Sequence, residues 1–174
     1  IEWDEAAHEV AKAAGCPSVH GNAEDLVLLL DLAHTVRLLW SSFPCQRHSS
    51  AGIGQGYDGW PATVAALDLL EPEWFMGENV PGVVKNLRPI LRDLRERFAW
   101  VDWRKTSAAS FGVAQDRERV CIIAGPKPVI WPVGGLVWRT LQDEFPNLLD
   151  AEQRRGAVNL SNRPCRTIGT RGNT

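Results

Sequence analysis

The chain has 174 residues and a formal net charge of −2, and this length suits one domain with a single core. The small net charge neither indicates nor excludes a nucleic-acid partner, and the most apolar window, Leu26 to Trp40, is too interrupted by charged residues to cross a membrane. The four cysteines are far apart and form no Cys-x-x-Cys pair, which argues against a zinc site or a disulfide framework and favours a reducing, intracellular setting.

The first predicted element is an alanine-rich helix over Asp4 to Ala14, with acidic residues in its first turn and Gly15 as the stop signal. Glu2 and Trp3 come directly before it, which places a carboxylate and an indole at the end of a strand. From the residues alone, the simpler interpretation is that Glu2 interacts with the helix dipole and that Trp3 belongs to the core. A short strand and turn follow from Ser18, and Leu26 to His34 suits a second helix.

The apolar run Val36 to Trp40 predicts a buried strand that ends before Pro44, because proline cannot donate to a sheet ladder. Cys45 follows at the carboxyl end of this strand, the edge at which open α/β sheets bind ligands. A lone cysteine there is more often a small buried apolar residue. The glycine-rich stretch Arg47 to Gly59 suits either a loop that closes over a substrate or an ordinary surface loop.

A helix is predicted over Trp60 to Leu70, with Pro61 in its first turn, and the strand Trp74 to Gly77 then leads into Glu78. If the two strands are parallel neighbours joined by this helix, Cys45 and Glu78 emerge at the same edge of the sheet. An acid and a nucleophile would then share one pocket.

The next apolar pattern, Val83 to Phe98, predicts a helix that Pro89 kinks or splits. Two strands follow, Trp100 to Ser107 and Arg119 to Gly125, and as the last pair of a mostly parallel sheet they could pair antiparallel. Two basic side chains, those of Arg117 and Arg119, stand at the entrance to the last strand. By themselves they could equally be exposed arginines.

The motifs Pro44-Cys45-Gln46, Glu78-Asn79-Val80 and Gln115-x-Arg117-x-Arg119, in this order and at these element ends, resemble the motif series of DNA (cytosine-5) methyltransferases. The first is followed by Ser49-x-Ala51-Gly52, and the likeness extends from Ile1 to Arg163-Pro164. The resemblance implies an α/β, Rossmann-like S-adenosylmethionine-dependent methyltransferase domain. Its sheet would be mostly parallel, with helices on both faces, and the domain would be truncated at both ends.

The resemblance also implies the site residues. Those implied for catalysis are Cys45, Glu78, Arg117 and Arg119. Those implied to hold S-adenosylmethionine, the methyl donor, are Glu2, Trp3, Asn22 and Pro44. Those implied to contact the substrate, a cytosine flipped out of DNA, are Gln46, Ser49, Asn79 and Gln115. No metal is implied. A carboxylate at position 2 would accept from both ribose hydroxyls, and the neighbouring indole would stack on the adenine.

Residues 1–125 are expected to form a partial catalytic domain, and residues 126–174 a shortened, irregular segment in place of the target-recognition region, ending in the start of the following family motif. The expected protein is a monomeric DNA-methylating enzyme of a restriction-modification system, in the cytoplasm of a bacterial or phage-like host and associated with the nucleoid. Asn22 stands where the family has aspartate, and Arg47 and His48 replace Gly-Phe. These departures leave an inactive nucleic-acid-binding remnant open as an alternative. A tRNA cytosine-5 methyltransferase of the same family is the other alternative, because it would share the methyl donor and the covalent step.

Overall fold

The computed structural model describes residues 1–44, 57–136, 139 and 165–166. Residues 165 and 166 are described through their backbone alone. Within these ranges the helices are α1 (Glu5–Ala13), α2 (Trp60–Leu70) and α3 (Leu87–Arg95), with 3₁₀ helices at Leu26–Leu32, Pro81–Asn86 and Ala108–Phe111. The strands are β1 (Leu38–Ser41), β2 (Trp74–Asn79), β3 (Trp100–Ser107), β4 (Gln115–Asp116), β5 (Glu118–Gly125) and β6 (Cys165–Arg166). None of the helices in the described ranges is long and apolar enough to cross a membrane.

Four strands form the main sheet, in the order β1-β2-β5-β3. β1 and β2 are parallel neighbours, with Ser41 opposite Gly77, and β5 runs antiparallel to both β2 and β3. The predicted parallel pair and the predicted antiparallel pair are both confirmed. Because β5 alone runs in the opposite direction, the carboxyl ends of β1, β2 and β3 and the amino end of β5 all lie at one edge of the sheet.

The core lies between one face of this sheet and the helices α2 and α3. Phe75 on β2 and Ile122 on β5 are fully buried, as is Leu94 on α3. Trp60 at the start of α2 packs edge-on against Phe75, with 6.1 Å between ring centroids. The expected helices on both faces are thus seen on one face within the described residues. The alternation along β2 leaves Met76 and Glu78 half-buried on the other face.

The helix boundaries follow from local chemistry. Asp4 caps α1, since its carboxylate accepts from the amide of Ala7 at 2.8 Å. The single helix predicted over Val83 to Phe98 is corrected: a 3₁₀ helix comes first, and α3 begins at Leu87. Pro89 therefore falls in the first turn of α3, where its missing N–H costs no helical hydrogen bond. The second helix predicted, from Leu26, is likewise a 3₁₀ helix.

Candidate active site

An acid and a cation meet at the sheet edge described above. Oε1 of Glu78 on β2 lies 2.6 Å from Nε of Arg119 on β5, and the two side chains are 26% and 21% exposed. Glu78 is directly opposite Cys121, so Arg119 is its diagonal neighbour on the same face. Arg119 also donates from Nη1 to the carbonyl of Glu118 at 2.7 Å. The guanidinium is therefore fixed, and the carboxylate is held with part of its surface open to solvent.

Asn79 lies on the opposite face of β2 from Glu78. Its side chain is 2% exposed, donates from Nδ2 to the carbonyl of Phe43 at 3.2 Å and accepts from the amide of Val80 at 2.9 Å. The contact expected from the sequence was with substrate, whereas the side chain here contacts backbone inside the core. Asn79 thereby ties the end of β2 to the segment that follows β1.

Phe43, two residues before Cys45, is packed in place. Phe43 is buried and meets the ring of Trp60 edge-on at 5.3 Å. Pro44 is the last residue described before position 57, so Cys45, Gln46 and Ser49 lie outside the described residues, as do Arg47 and His48. The structure brings the backbone that leads to Cys45 to the strand end that carries Glu78.

Two further predicted site residues, Gln115 for the substrate and Arg117 for catalysis, lie at β4 and directly after it. Gln115 begins β4, which pairs in parallel with β6, so that Gln115 is opposite Cys165. Arg117 is held through its backbone, with its amide donating to Gln115 and its carbonyl accepting from Ala108. Among the described residues no carboxylate lies within ion-pair distance of Arg117. The segment after the last main-sheet strand thus returns to the predicted arginine motif at residues 165–166.

Glu2, Trp3 and Asn22 are brought close by a short parallel pairing of two chain segments. Glu2 is bridged to His20, with its amide donating to Val19 and its carbonyl accepting from Gly21. Trp3 is 76% exposed, so the alternative that it is a core residue is wrong. Oε1 of Glu2 accepts from the amide of Asp4 at 2.9 Å. An exposed indole beside a carboxylate fits the adenosine part of a nucleoside cofactor.

A hydrogen-bonded chain that sequence reasoning missed runs from Asn22 to Tyr57. Asn22 donates from Nδ2 to Glu24 Oε2 at 3.2 Å and accepts at Oδ1 from the Glu24 amide at 3.0 Å. The Tyr57 hydroxyl donates to Glu24 Oε1 at 2.5 Å. This bond to a carboxylate, with a smaller effect of burial, raises the pKa of Tyr57 to about 12. The network links Asn22 to the first described residue after the Cys45 segment.

Two histidines, also missed, support the backbone of Glu2 and Trp3. His8 on α1 is buried, and its ring stacks on that of His20 with 5.4 Å between centroids. Nε2 of His20 lies 3.0 Å from the carbonyl of Trp3, and because a carbonyl only accepts, that nitrogen carries a proton. Nδ1 of His8 bonds to the Ser18 hydroxyl at 2.9 Å. Alanine-rich spacing marked α1 as a helix but gave no signal for this pairing.

A second cysteine, Cys121 on β5, lies directly opposite Glu78 on β2. Burial raises the pKa of the Cys121 thiol, and the facing carboxylate of Glu78 raises it further. A thiol in this setting stays protonated at neutral pH and is a poor nucleophile. Nowhere in the described ranges do three or more His, Cys, Asp or Glu residues come together as a metal site.

Comparison with known proteins gives a consistent result. The family model described as C-5 cytosine-specific DNA methylase matches residues 1–165. The type II methyltransferase M.HgiBI of Herpetosiphon aurantiacus is 33% identical over 78% of this chain and 31% of its own length. The type II methyltransferase M.HpaII of Haemophilus parainfluenzae is 30% identical over 70% of this chain and 37% of its own length. The chain therefore spans about a third of each of these relatives.

Solved structures share the fold. A methyltransferase of Entamoeba histolytica superposes with a TM-score of 0.63 at 18% identity, covering 82% of this chain and 49% of that one. A DNA modification methyltransferase encoded within a prophage in E. coli gives a TM-score of 0.59 at 17% identity, covering 82% and 45%. At these identities the likeness shows a shared fold, and it confirms the Rossmann-like α/β class expected from the sequence.

Proposed function

Because the chain belongs to the C-5 cytosine-specific DNA methylase family, we propose that the protein transfers a methyl group from S-adenosylmethionine to carbon 5 of cytosine in DNA, through a covalent bond to Cys45. The observation that supports this most directly is the ion pair of Glu78 and Arg119, which lies at the sheet edge to which the Phe43-Pro44 backbone leads. A nucleophile at position 45 would act beside a fixed acid and a fixed cation.

The chemistry explains why both groups are needed. Carbon 5 of cytosine is weakly nucleophilic, so the Cys45 thiolate adds to carbon 6 and converts the ring to an enamine. The negative charge that develops passes to the ring nitrogen. Glu78, in its protonated form, offsets it by donating a hydrogen bond or the proton itself to that nitrogen, and after methylation water takes the proton from carbon 5 as the bond to Cys45 breaks and releases the thiolate.

Arg119 has two tasks in this account. Its Nε holds the Glu78 carboxylate, and its remaining N–H groups, in a rigid planar array, are available to the base carbonyl. Arg117, with no described acid beside it, is available to a DNA phosphate. Arg119 would act as a fixed donor, which requires no rearrangement during the reaction.

S-adenosylmethionine, when bound, supplies the electrophilic methyl group. Glu2 would accept from the ribose hydroxyls, and the exposed face of Trp3 would stack on the adenine. Oδ1 of Asn22 accepts one backbone hydrogen bond and keeps a second lone pair for the adenine amino group. Pro44 would border the same pocket, since it directly precedes Cys45.

The DNA contacts complete the proposal. A base in a duplex must be flipped out before Cys45 can reach it, at a cost of about a few kcal/mol. Gln46, Ser49 and Gln115 would contact the DNA, while Asn79 would act by fixing the Phe43 backbone. We place the partial catalytic domain at residues 1–125 and the shortened segment at 126–174. The protein would act as a monomer on DNA in the bacterial cytoplasm, as part of a restriction-modification system.

The test is methyl transfer by the full-length protein. Purified protein is incubated with S-adenosylmethionine carrying a labelled methyl group and with either duplex DNA or tRNA, and the modified nucleoside is identified by mass spectrometry. The proposal predicts 5-methylcytosine in DNA and none with a Cys45→Ser variant of normal fold. Label in tRNA alone would favour the tRNA alternative. Label in neither substrate would favour a protein that binds nucleic acid without modifying it.

A further inference from the structure

Gly59 packs against the proline that precedes Cys45. A Cβ atom at position 59 would lie 2.2 Å from Cδ and 2.9 Å from the backbone nitrogen of Pro44. Gly59 has φ −78° and ψ 0°, a conformation that any residue adopts. The glycine is therefore required by the close approach of Pro44 and not by its own backbone geometry.

The helix that begins after Gly59 is fixed and cannot retreat from Pro44. The amide and the hydroxyl of Thr63 both donate to the carbonyl of Gly59, at 3.2 Å and 3.1 Å. Because the Thr63 hydroxyl proton is used there, Ser41 on β1 donates to Thr63 Oγ1 at 3.0 Å. Thr63 is buried. Movement of α2 away from the sheet would break the bond between Ser41 and Thr63, and movement of Gly59 away from α2 would break the two bonds that it accepts from Thr63.

The first residue of α2 is held as firmly. Trp60 is wedged between the rings of Phe43 and Phe75 and donates from Nε1 to Asp93 on α3 at 2.9 Å. A side chain added at position 59 would therefore displace Pro44 more readily than the helix. Asn79 restrains the residue before Pro44 through its bond to the Phe43 carbonyl.

We propose that Gly59 is a positioning residue for Cys45: its bare backbone lets Pro44 settle between α2 and the Asn79 contact, and this sets where the next residue begins. The inference rests on the nucleophilic role proposed for Cys45. Misplacement of a reacting group by about 1 Å can cost about 100-fold in rate. Gly59→Ala is therefore expected to lower the rate of methyl transfer by about 10- to 100-fold.

A double-mutant cycle on the full-length protein tests this, with the variants Gly59→Ala, Pro44→Ala and both together. Alanine at position 44 removes Cδ and Cγ but leaves the backbone nitrogen 2.9 Å from the added Cβ, so Gly59→Ala is expected to cost at least about threefold less in that background than with Pro44 present. Equal costs in both backgrounds would overturn the inference, as would no cost with Pro44 present. If Gly59→Ala alone does not fold, the double variant is expected to fold, and its failure to fold would also overturn it.

A second readout separates this inference from the proposed reaction. The rate at which a small alkylating reagent labels Cys45 is measured by peptide mass spectrometry in the same cycle, without DNA or S-adenosylmethionine. Gly59→Ala is expected to change that rate at least about threefold when Pro44 is present and by a smaller factor in the Pro44→Ala background, even if the protein methylates nothing. Independent effects of the two substitutions on labelling would contradict the positioning role, even if methylation is normal.

Gly15→Ala is the matched control. Gly15 has φ +75°, and a Cβ added there would have no atom within 4 Å, so alanine strains the backbone without touching Pro44. It is expected to lower the melting temperature and to leave the rate of Cys45 labelling within about twofold of the parent. A change in labelling as large as that of Gly59→Ala would assign both effects to lost stability and overturn the inference.

Discussion

Glu78 and Arg119 form an ion pair across two antiparallel strands, with 2.6 Å between Oε1 and Nε, and both side chains keep about a quarter of their surface exposed. The pair joins β2 to β5 at the edge where β1 also ends. This placement lets one arginine hold the acid and still present donors to a ligand.

Replacement of Glu78 by glutamine removes the group that offsets charge on the base. Glu78→Gln is expected to lower kcat by about 10²- to 10⁴-fold, the usual contribution of a general acid or base. The control is Glu118→Gln, which makes the same charge change at an exposed pair with Lys105 and is expected to change kcat less than about twofold. Steady-state methylation of duplex DNA measures both, and equal effects would contradict the role of Glu78.

Replacement of Asn79 tests its structural contact. Asn79→Ala leaves the Phe43 carbonyl and the Val80 amide without their side-chain partner in the core, which is expected to lower the free energy of unfolding by about 1–3 kcal/mol. Asn22→Ala, the same exchange at an exposed position, is expected to lower it by less than about 1 kcal/mol. Urea denaturation compares them. Similar losses for both variants would show that burial of Asn79 is energetically unimportant.

Trp3 can be tested through the cofactor alone. Stacking of a base on an aromatic ring contributes about 1–3 kcal/mol, so Trp3→Ala is expected to weaken S-adenosylmethionine binding by roughly 5- to 150-fold. Trp3→Phe keeps an aromatic face and should lose less. Because the side chain is 76% exposed, neither change should alter the melting temperature appreciably. Calorimetric titration of the full-length protein gives the Kd values, and unchanged affinity in Trp3→Ala would remove Trp3 from the cofactor site.

The sequence predicts the elements best where local signals agree with tertiary packing. Trp60 to Leu70 has proline in its first turn and a continuous apolar pattern. Trp100 to Ser107 begins with a segment rich in aromatic and apolar residues. Both elements have the predicted boundaries. The meeting of Glu78 and Arg119 follows from motif order together with strand direction. These inferences need only the chain and the general rules of α/β sheets.

Other features depend on information that motifs lack. The resemblance implies a substrate contact for Asn79 as part of the Glu78-Asn79-Val80 motif, yet the period of two along a strand puts adjacent residues on opposite faces. That alternation was available in the sequence. The close approach of Gly59 to Pro44, by contrast, depends on how α2 packs beside β1, and the Tyr57 to Glu24 bond joins residues 33 positions apart. No local pattern encodes either contact.

The Tyr57 bond predicts a spectroscopic titration. Tyr57 is the only tyrosine of the 174 residues, and its bond to Glu24 raises its pKa to about 12. In the folded chain the phenolate absorbance should therefore rise near pH 12, whereas the unfolded chain should titrate near the ordinary value of about 10. This rise in phenolate absorbance should be absent in Tyr57→Phe. A titration midpoint near pH 10 in the folded chain would show that the bond to Glu24 is absent.

The same shift has a consequence for stability. Because the folded-state pKa is the higher one, the stabilisation is fully present below about pH 10 and is lost as the pH rises towards about 12. Tyr57→Phe should therefore flatten this part of the stability profile. Denaturation of both chains at pH 9 and above checks the sign, and a parent chain that becomes more stable over this range relative to Tyr57→Phe would contradict it.

The proposed reaction requires a covalent bond between Cys45 and cytosine. The most direct measurement uses the full-length protein, S-adenosylmethionine and duplex DNA with 5-fluorocytosine at the target position. Fluorine at carbon 5 cannot leave as a proton does, so the bond formed at carbon 6 should persist. We expect a protein–DNA complex that resists denaturation, whose link to DNA maps to the Cys45 peptide and which is absent in Cys45→Ser. Methyl transfer to ordinary DNA without such a complex, or an adduct at Cys121, would contradict it.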